Sequence, residues 1–224
     1  MIHLHGVTKF YKKKKIAGPL DMDVLQGESV ALVGGNGAGK STTLRVIAGL
    51  LKPSRGAAEI GGHPAGSKEA KQMLFYLPQK LMLPGHLTLN EALRFFSKLH
   101  NRPIADIQNL AAIYHLSDVT DDRIGTFSGG MMQRLGLLIA DHVNTPILLL
   151  DEPTSNLDRQ GIELFFEQMY AWRKNGRTIV FASHAAAEIN ELADRCVVME
   201  SGRVQEMYAT TSAVSKRTEG FAHA

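Results

Sequence analysis

Short runs of apolar or alternating residues are separated along the chain by longer segments in which apolar residues recur every three or four positions. The short runs predict strands, and the longer segments predict helices. Strands are predicted at 1–7, 29–33, 57–60, 73–77, 147–150, 178–182 and 196–200, and helices at 40–50, 160–174 and 185–193. Because strands that alternate with helices favour parallel pairing, we expect an α/β fold with a doubly wound, mostly parallel sheet.

The middle of the chain interrupts this alternation. Helical periodicity starts at Thr88, a second helix is predicted over about 104–114, and a third follows Ser128. This segment is therefore expected to be helical, and the chain returns to strands after it. The predicted parts are a core at 1–82 and 140–206, a helical subdomain at 83–139 and a tail at 207–224.

The composition is that of an ordinary globular protein. Among 224 residues, 44% are hydrophobic, and 25 Lys and Arg against 22 Asp and Glu give a net charge of +3, too small to indicate nucleic-acid binding by itself. No apolar run approaches the roughly 20 residues that span a bilayer, the N-terminus lacks a signal-peptide pattern, and Cys196 is the single cysteine. We therefore expect a soluble cytosolic domain. The lysines at 12–15 precede Gly18 and Pro19, which predict a turn.

A glycine-rich segment lies between the first predicted helix and the strand before it. Residues 34–41, Gly-Gly-Asn-Gly-Ala-Gly-Lys-Ser, fit the pattern GxxxxGK[ST], whose backbone N–H groups and helix N-terminus can bind a phosphate chain. Lys40 is expected to contact the β- and γ-phosphates, and Ser41 to bind Mg²⁺. The nucleotide-binding residues predicted here are Gly34, Asn36, Gly37, Ala38, Gly39, Lys40, Ser41 and Thr42. A glycine-rich turn without a ligand is the alternative, and the spacing does not fit the GxGxxG loop of dinucleotide-binding folds.

Two carboxylates, Asp151 and Glu152, follow the apolar run 147–150. Consecutive side chains of a strand point in opposite directions, and ligands bind at the carboxyl ends of strands in open α/β sheets. The two carboxylates can therefore take different parts at one site: Asp151 is expected to bind Mg²⁺, and Glu152 to polarise an attacking water. Such a pair alone is commonly a polar loop, but the phosphate loop in the same chain favours the catalytic interpretation.

The segment 127–134, Phe-Ser-Gly-Gly-Met-Met-Gln-Arg, resembles the LSGGQ signature of ATP-binding cassette (ABC) ATPases, with Phe127 in place of Leu and Met131 in place of Gln. Other motifs of that family stand in the expected order, and the resemblance covers about residues 1–206. The matching residues are Tyr11 for the aromatic that stacks on adenine, Gln79 for the Q-loop, Ser128, Gly129 and Gly130 for the signature, Asp158 for the D-loop and His184 for the switch histidine.

The resemblance implies a single ABC ATPase domain over 1–224, with a P-loop NTPase core, an N-terminal antiparallel β subdomain and the helical subdomain. It also implies that ATP and Mg²⁺ are bound, that Gln79 contacts Mg²⁺ and water, and that His184 contacts the γ-phosphate. The signature would close on nucleotide held by a second copy of the chain, in a head-to-tail dimer. Each residue alone has a simpler alternative: a capped helix start at Ser128, a surface histidine or a loop glutamine.

The class of ABC protein is indicated by the segment between Gln79 and Ser128. It has room for a compact helical subdomain and no long coiled coil, which a chromosome-maintenance ATPase would carry there. The stretches 77–79 and 87–96, together with Met131, are similar to the ABC-2-type exporter branch. We therefore expect the ATP-hydrolysing subunit of such an exporter at the cytoplasmic side of the inner membrane, with separate transmembrane permease subunits and no nucleic-acid partner. The alternatives are an importer ATPase and a soluble or regulatory ABC ATPase that acts on ribosomes or nucleic acid.

Overall fold

The computed structural model describes residues 1–11, 14–103 and 106–210, and for 11 and 14–16 it describes the backbone alone. The strands are β1 (Ile2–Tyr11), β2 (Lys14–Val24), β3 (Ser29–Val33), β4 (Arg55–Ile60), β5 (His63–Pro64), β6 (Leu74–Leu77), β7 (Ile147–Asp151), β8 (Thr178–Ala182), β9 (Arg195–Glu200) and β10 (Arg203–Ala209). The helices are α1 (Lys40–Ile47), α2 (Lys68–Met73), α3 (Leu89–Leu99), α4 (Ile107–Ile113), α5 (Gly129–Val143), α6 (Arg159–Lys174) and α7 (Ala186–Leu192), with 3-10 turns at Ser117–Val119 and Ile124–Thr126.

A mostly parallel sheet lies at the centre of the described part of the chain. Its strand order is β10-β9-β3-β8-β7-β6, and every neighbouring pair is parallel except β9 and β10. Leu148 and Leu150 of β7 pack in the core with α3 to α7, whereas Ile147 and Leu149 pack in the core with α1. The two sets separate because neighbouring side chains of a strand point to opposite faces. The expected α/β fold with helices on both faces of a mostly parallel sheet is confirmed.

A second sheet in the described residues is antiparallel, with the strand order β2-β1-β4-β5. Ile2 of β1 pairs with Val24 of β2 on one side and with Ile60 of β4 on the other. All three side chains are fully buried in the core that contains α1. This sheet confirms the antiparallel β subdomain that the family resemblance implied.

The predicted turn at Gly18 and Pro19 is wrong, because both residues lie inside β2. β2 is an edge strand of its sheet, where the missing N–H of proline is tolerated. Gly18 has a φ of 99°, and a Cβ there would lie 2.1 Å from the carbonyl oxygen of Val7. A glycine–proline pair usually indicates a turn, but irregularities in the register of β1 and β2 accommodate it within the strand.

Two further elements left no clear pattern in the sequence. α2 is short and buries one residue, Ala70, and β10 is an edge strand whose side chains are mostly exposed. Neither has the apolar face from which an element is recognised, and β10 forms because its backbone pairs with β9. β10 includes residues 207–209, which the sequence assigned to the tail. Residues 211–224 lie outside the described residues.

The middle of the chain holds α3, α4, the two 3-10 turns and α5, where periodicity predicted helices. A capping box starts α3, because the Thr88 hydroxyl accepts from the N–H of Glu91 and the Glu91 carboxylate accepts from the N–H of Thr88. The Oγ of Ser128 accepts from the N–H of Met131 and caps α5 through this one bond. Among the described residues, no helix has the length and apolar content needed to cross a membrane.

Candidate functional site

The residues between β3 and α1 form a loop at the carboxyl end of the parallel sheet. Gly34, Gly37 and Gly39 have φ angles of 154°, 80° and 102°, a region of backbone conformation that other residues rarely adopt. The loop bounds a cavity of about 390 Å³. Except for Gly34, every nucleotide-binding residue predicted in this segment lines the cavity. The lining residues are Asn36, Gly37, Ala38, Gly39, Lys40, Ser41, Thr42, Gln79 and Glu152.

Replacing Gly34 with Ala is expected to lower the free energy of unfolding by about 2–4 kcal/mol, because strain and a backbone clash coincide there. A Cβ at Gly34 would lie 2.2 Å from the carbonyl oxygen of Met199 and 2.9 Å from the Cβ of Ala38. The matched control is Gly35→Ala, since no atom lies within 4 Å of the added Cβ. Chemical denaturation measures both variants, and equal losses for the two would contradict the prediction.

Lys40 is the first residue of α1, and only 6% of its side chain is exposed. Its Nζ donates to the carbonyl oxygens of Gly34 (2.7 Å) and Gly35 (3.3 Å) and lies 4.0 Å from the Oε1 of Glu152. The ammonium group thus holds the start of the loop and places a positive charge at the cavity. Together with the N-terminal end of α1, it favours an anionic ligand.

Hydrogen bonds join α1 and β6 to the last residue of β7. Ser41 Oγ donates to the Oδ1 of Asp151 at 2.9 Å, and Tyr76 OH donates to the Oδ2 at 3.2 Å. Burial raises the pKa of Asp151, which is 1% exposed, and these two hydrogen bonds oppose the rise. Burial also raises the pKa of Tyr76 to about 12, against the opposing effect of Arg45, so the hydroxyl keeps its proton. Asp151 is therefore a buried carboxylate held by two donors.

Glu152 follows β7 in an uncommon backbone conformation. Its φ is 48°, and its N–H donates to the carbonyl oxygen of Ala182 in β8 at 3.1 Å. The Oε2 of Glu152 accepts from the Nε2 of Gln79 at 2.7 Å, and the Oε1 faces Lys40. The fold therefore brings Gln79 to Glu152 beside the cavity, and left-handed backbone at such a place is typical of functional residues.

The signature residues lie at the start of α5. Ser128 caps this helix, and a Cβ at Gly130 would lie 3.1 Å from the carbonyl oxygen of Asn156. Ser128 and Gly129 are exposed, and Ser128, Gly129 and Gly130 do not line the cavity of the phosphate loop. In one chain, the signature and the phosphate loop are therefore separate surfaces.

Asp158 lies just before α6 and connects it to α5. Its Oδ1 accepts from the N–H of Gly161 at 2.8 Å, which caps α6, and from the Nη2 of Arg134 at 2.6 Å. The hydrogen bond from Gly161 and, after it, the bond from Arg134 lower the pKa of Asp158. In the single chain, Asp158 thus stabilises a helix start and bonds the signature helix to the segment that follows Glu152.

Two further predicted site residues, His184 and Tyr11, are not among the described residues that line the cavity. His184 is exposed, two residues after the end of β8, and is not one of the described residues that line the cavity. Tyr11 ends β1, but its side chain lies outside the described residues, as do the side chains of the basic run at 12–15. The roles of Tyr11 and His184 stay predictions.

Sequence reasoning missed three polar residues that connect elements around the site. Tyr76 donates to Asp151, Gln133 Nε2 donates to the carbonyl oxygen of Pro153 at 2.7 Å, and Glu188 accepts from two hydroxyl groups. Gln133 is 2% exposed and Glu188 4% exposed, within α5 and α7. For Gln133 and Glu188, the available signal was a polar residue at a buried helical position, because such a group needs hydrogen-bond partners.

Comparison with protein families matches residues 17–155, more than half of the chain, to the ABC transporter family. The chain belongs to this family. The matched range includes the phosphate loop, Gln79, the signature and both carboxylates, and these are the groups that the fold gathers around the cavity and α5. The chain is therefore an ATP-binding subunit of the ABC transporter type.

Similar proteins agree with the ABC assignment. The Nod factor export ATP-binding protein I of Burkholderia orbicola (strain AU 1054) is 36% identical over 209 residues, which cover 90% of this chain and 68% of the relative. A solved structure of the ATP-binding subunit of an ABC transporter has a TM-score of 0.87 at 29% identity and covers 100% of this chain and 95% of that chain. A dimeric ATP-binding cassette in a post-hydrolysis state, bound to ADP and phosphate, has a TM-score of 0.83 at 23% identity over 93% and 98% of the two chains, and shows the fold alone.

Proposed function

We propose that this ABC subunit hydrolyses ATP and thereby drives an ABC-2-type exporter. The observation that carries the proposal is the cluster beside the phosphate-loop cavity. There, Lys40 faces Glu152, Gln79 donates to Glu152, and Ser41 donates to Asp151. A cation, two carboxylates, a hydroxyl and an amide next to a loop of backbone N–H groups can position ATP and water and stabilise the charge that develops in phosphoryl transfer to water.

Mg²⁺ fits the oxygen groups beside the loop. The Ser41 hydroxyl and the Asp151 carboxylate are in contact at 2.9 Å, and oxygen donors of this kind are the ligands that Mg²⁺ prefers. These two groups would hold the ion, with the amide oxygen of Gln79 as a third ligand, while the Nε2 of Gln79 can still donate to Glu152. The bound ion would neutralise charge on the phosphate oxygens.

Replacing Tyr76 with Phe is expected to move the pH dependence of MgATP binding to higher pH. The Tyr76 hydroxyl lowers the pKa of Asp151, which burial raises, so its removal lets that pKa rise further. Asp151 must be deprotonated to bind Mg²⁺. As the pH is lowered, the variant should therefore lose the Mg²⁺-dependent gain in ATP affinity at a higher pH than the wild-type protein does. Isothermal titration with and without Mg²⁺ at several pH values measures this.

The matched control for that experiment is Tyr170→Phe, which removes an exposed hydroxyl that donates to Glu191 at 3.1 Å, away from the cavity. Tyr170→Phe should titrate like the wild-type protein. The same pH profile for Tyr76→Phe and wild type would contradict the role given to the Tyr76 hydroxyl.

Hydrolysis is assigned to the groups around the cavity. The loop N–H groups and Lys40 bind the phosphates, Glu152 polarises the attacking water and takes its proton, and Gln79 orients Glu152. His184, after β8, contacts the γ-phosphate when the site is complete. Tyr11 stacks on adenine. Each of these roles is carried over from the ABC family to the residue of this chain that matches the family's motif.

A second copy of the chain completes the site. Ser128, Gly129 and Gly130 offer a capped helix start with exposed groups, yet they do not line the cavity of their own chain. A head-to-tail pair would place the signature of one copy over the phosphate held by the other, with the D-loop around Asp158 between them. The dimeric cassette of the same fold supports this arrangement. Closure is then a population shift, because ATP contacts both copies in the closed state alone.

A cleft of about 590 Å³ between α3 and the core is assigned to the membrane partner. Leu50 and Leu99 in its lining are 60% and 57% exposed, which is high for large apolar side chains. Lys68 and Lys71 also line it, so the occupant we propose is a cytoplasmic helix of a transmembrane permease subunit with an apolar face and acidic residues. Tyr76 lines the same cleft and donates to Asp151, which connects the cleft to the nucleotide site.

Export is preferred over the alternatives because a relative at 36% identity is a Nod factor export protein, and because 77–79 and 87–96 are similar to the ABC-2-type branch. An importer ATPase is the second candidate, and a soluble ABC ATPase acting on ribosomes or nucleic acid the third. In the preferred function, the subunit is peripheral at the cytoplasmic side of the inner membrane. The division into a core, the helical subdomain at 83–139 and a tail is part of the same proposal.

A pull-down from native membranes tests the partner. The Glu152→Gln variant, tagged and loaded with MgATP, is expected to retain a polytopic membrane protein after solubilisation, and the identity of that protein distinguishes export from import. Leu99→Glu in the cleft should abolish the capture, whereas Ile113→Glu, at a side chain 47% exposed on α4, should not. Ribosomal proteins, nucleic acid or no partner would contradict the transporter proposal.

A further inference from the structure

A buried carboxylate joins two loops of the site, although no motif includes it. Glu188 is the third residue of α7 and is 4% exposed. Its Oε1 accepts from the Oγ1 of Thr154 at 2.6 Å, and its Oε2 accepts from the Oγ of Ser183 at 2.7 Å. Both oxygens are thus engaged by short hydrogen bonds of the charge-assisted kind, which are stronger than bonds between neutral groups.

The first hydroxyl belongs to the turn that contains Glu152. Thr154 lies two residues after Glu152, and the N–H of Ser155 donates back to the carbonyl oxygen of Glu152 at 3.2 Å. Glu152 itself is in a left-handed conformation, with a φ of 48°. Such a conformation persists when the surroundings hold it, and the bond from Thr154 to Glu188 fixes the far end of this turn.

The second hydroxyl belongs to the segment that contains His184. Ser183 directly precedes His184, and its Oγ also accepts from the N–H of Ala185 at 3.0 Å. Ser183 is 3% exposed, whereas His184 is exposed. The backbone on both sides of His184 is therefore held through Ser183 by the carboxylate of Glu188.

Stability alone does not account for a carboxylate at this position. Burying a charge is costly, and apolar residues of similar volume are often as stabilising as a buried charged group with its partners, or more so. What the carboxylate supplies is two acceptors in one rigid group, aimed at two loops. Such a bridge fixes the distance between two hydroxyl groups that belong to segments far apart in the sequence.

We propose that Glu188 is a positioning residue for ATP hydrolysis. It holds Glu152 and His184 at a fixed position relative to each other at the nucleotide site. The inference rests on the proposed function, because it assumes that Glu152 and His184 act on the same γ-phosphate. It concerns their relative placement and leaves nucleotide binding to the phosphate loop. A displacement of about 1 Å between reacting groups costs on the order of 100-fold in rate, so the bridge acts on kcat.

The test compares Glu188→Ala and Glu188→Gln with Glu191→Ala, using the full chain. Glu191 is on the same helix, but its carboxylate is exposed and accepts from Tyr170. Glu188→Ala is expected to lower kcat about 10- to 100-fold with the KM for ATP and the affinity for MgADP changed by less than about twofold. Glu188→Gln should recover most of kcat, because an amide can accept from one hydroxyl and donate to the other. Glu191→Ala should behave as the wild-type protein.

A double-mutant cycle separates positioning from loss of structure. Thr154→Val and Ser183→Ala should each lower kcat in the wild-type background, and Thr154→Val should add nothing in the Glu188→Ala background. These single variants also serve if Glu188→Ala does not fold. An unchanged kcat in Glu188→Ala, additive losses in the cycle, or a loss of kcat that parallels losses of MgADP affinity and thermal stability would overturn the inference.

The failure of the inference and the failure of the proposed function are distinguishable. If the wild-type protein hydrolyses ATP and Glu152→Gln does not, the proposed function stands, and the Glu188 variants decide the inference alone. If the wild-type protein does not hydrolyse ATP, alone or with its membrane partner, the proposed function fails and the inference fails with it.

Discussion

Replacing Glu152 with Gln is expected to lower the turnover of ATP about 100- to 1,000-fold, the loss that removal of a general base produces. The substitution keeps the size of the side chain, and the amide oxygen can still accept from the Nε2 of Gln79. What is lost is the negative charge that polarises water and takes its proton. Nucleotide affinity should persist, because Lys40 and the N–H groups of the phosphate loop are unchanged.

The same variant is expected to remain a dimer when loaded with MgATP, because ATP that is not hydrolysed keeps bridging the two copies. Steady-state phosphate release measures turnover, and light scattering with ATP or ADP measures the dimer. Glu163→Gln is the matched control, since Glu163 is an exposed glutamate on α6 that pairs with Arg159. Turnover within about threefold of the wild-type rate, or about 0.7 kcal/mol in barrier, would refute the role given to Glu152.

Replacing Lys40 with Ala is expected to weaken ATP binding about 10- to 100-fold, the equivalent of one or two charge-assisted hydrogen bonds to phosphate. The ammonium group of Lys40 is buried, and it donates to the carbonyl oxygens of Gly34 and Gly35. Its removal also leaves the carboxylate of Glu152 without the cation that faces it at 4.0 Å. Both changes make the cavity less favourable for an anionic ligand.

Titration calorimetry with ATP compares this variant with Lys80→Ala. Lys80 is exposed and directly follows Gln79, so its replacement removes the same charge near the site without changing the lining of the cavity. Lys80→Ala should bind ATP as the wild-type protein does. Unchanged affinity in a folded Lys40→Ala variant would mean that the phosphates are bound elsewhere.

The phosphate loop could be predicted because its chemistry is contiguous in the chain. Residues 34–41 carry the glycines, the lysine and the serine, and an apolar run before them and a periodic segment after them predicted β3 and α1. Asp151 and Glu152 were found in the same way, at the end of a five-residue strand whose side chains are all buried. In each case the functional residues are close together in the sequence. The strand that precedes them places them at the carboxyl end of the parallel sheet.

The edge strands β2 and β10 were not predicted. β10 was missed because its residues are mostly exposed, and β2 was missed because Gly18 and Pro19, which lie within it, usually indicate a turn. Both lie at the edge of a sheet, and each pairs with the strand that precedes it in the chain through an irregular register. The hydrophobic pattern of one segment does not show the partner or the register with which that segment pairs.

The sequence by itself determined the α/β class, the phosphate loop, the carboxylates after β7 and, through the order of its motifs, the ABC resemblance. The tertiary structure decided which side chains meet: Tyr76 with Asp151, Gln79 with Glu152, and Glu188 with Thr154 and Ser183. The physical reason is that strand and helix periodicity reflects burial along one segment, whereas these hydrogen bonds join segments that the strand order β3-β8-β7-β6 places side by side.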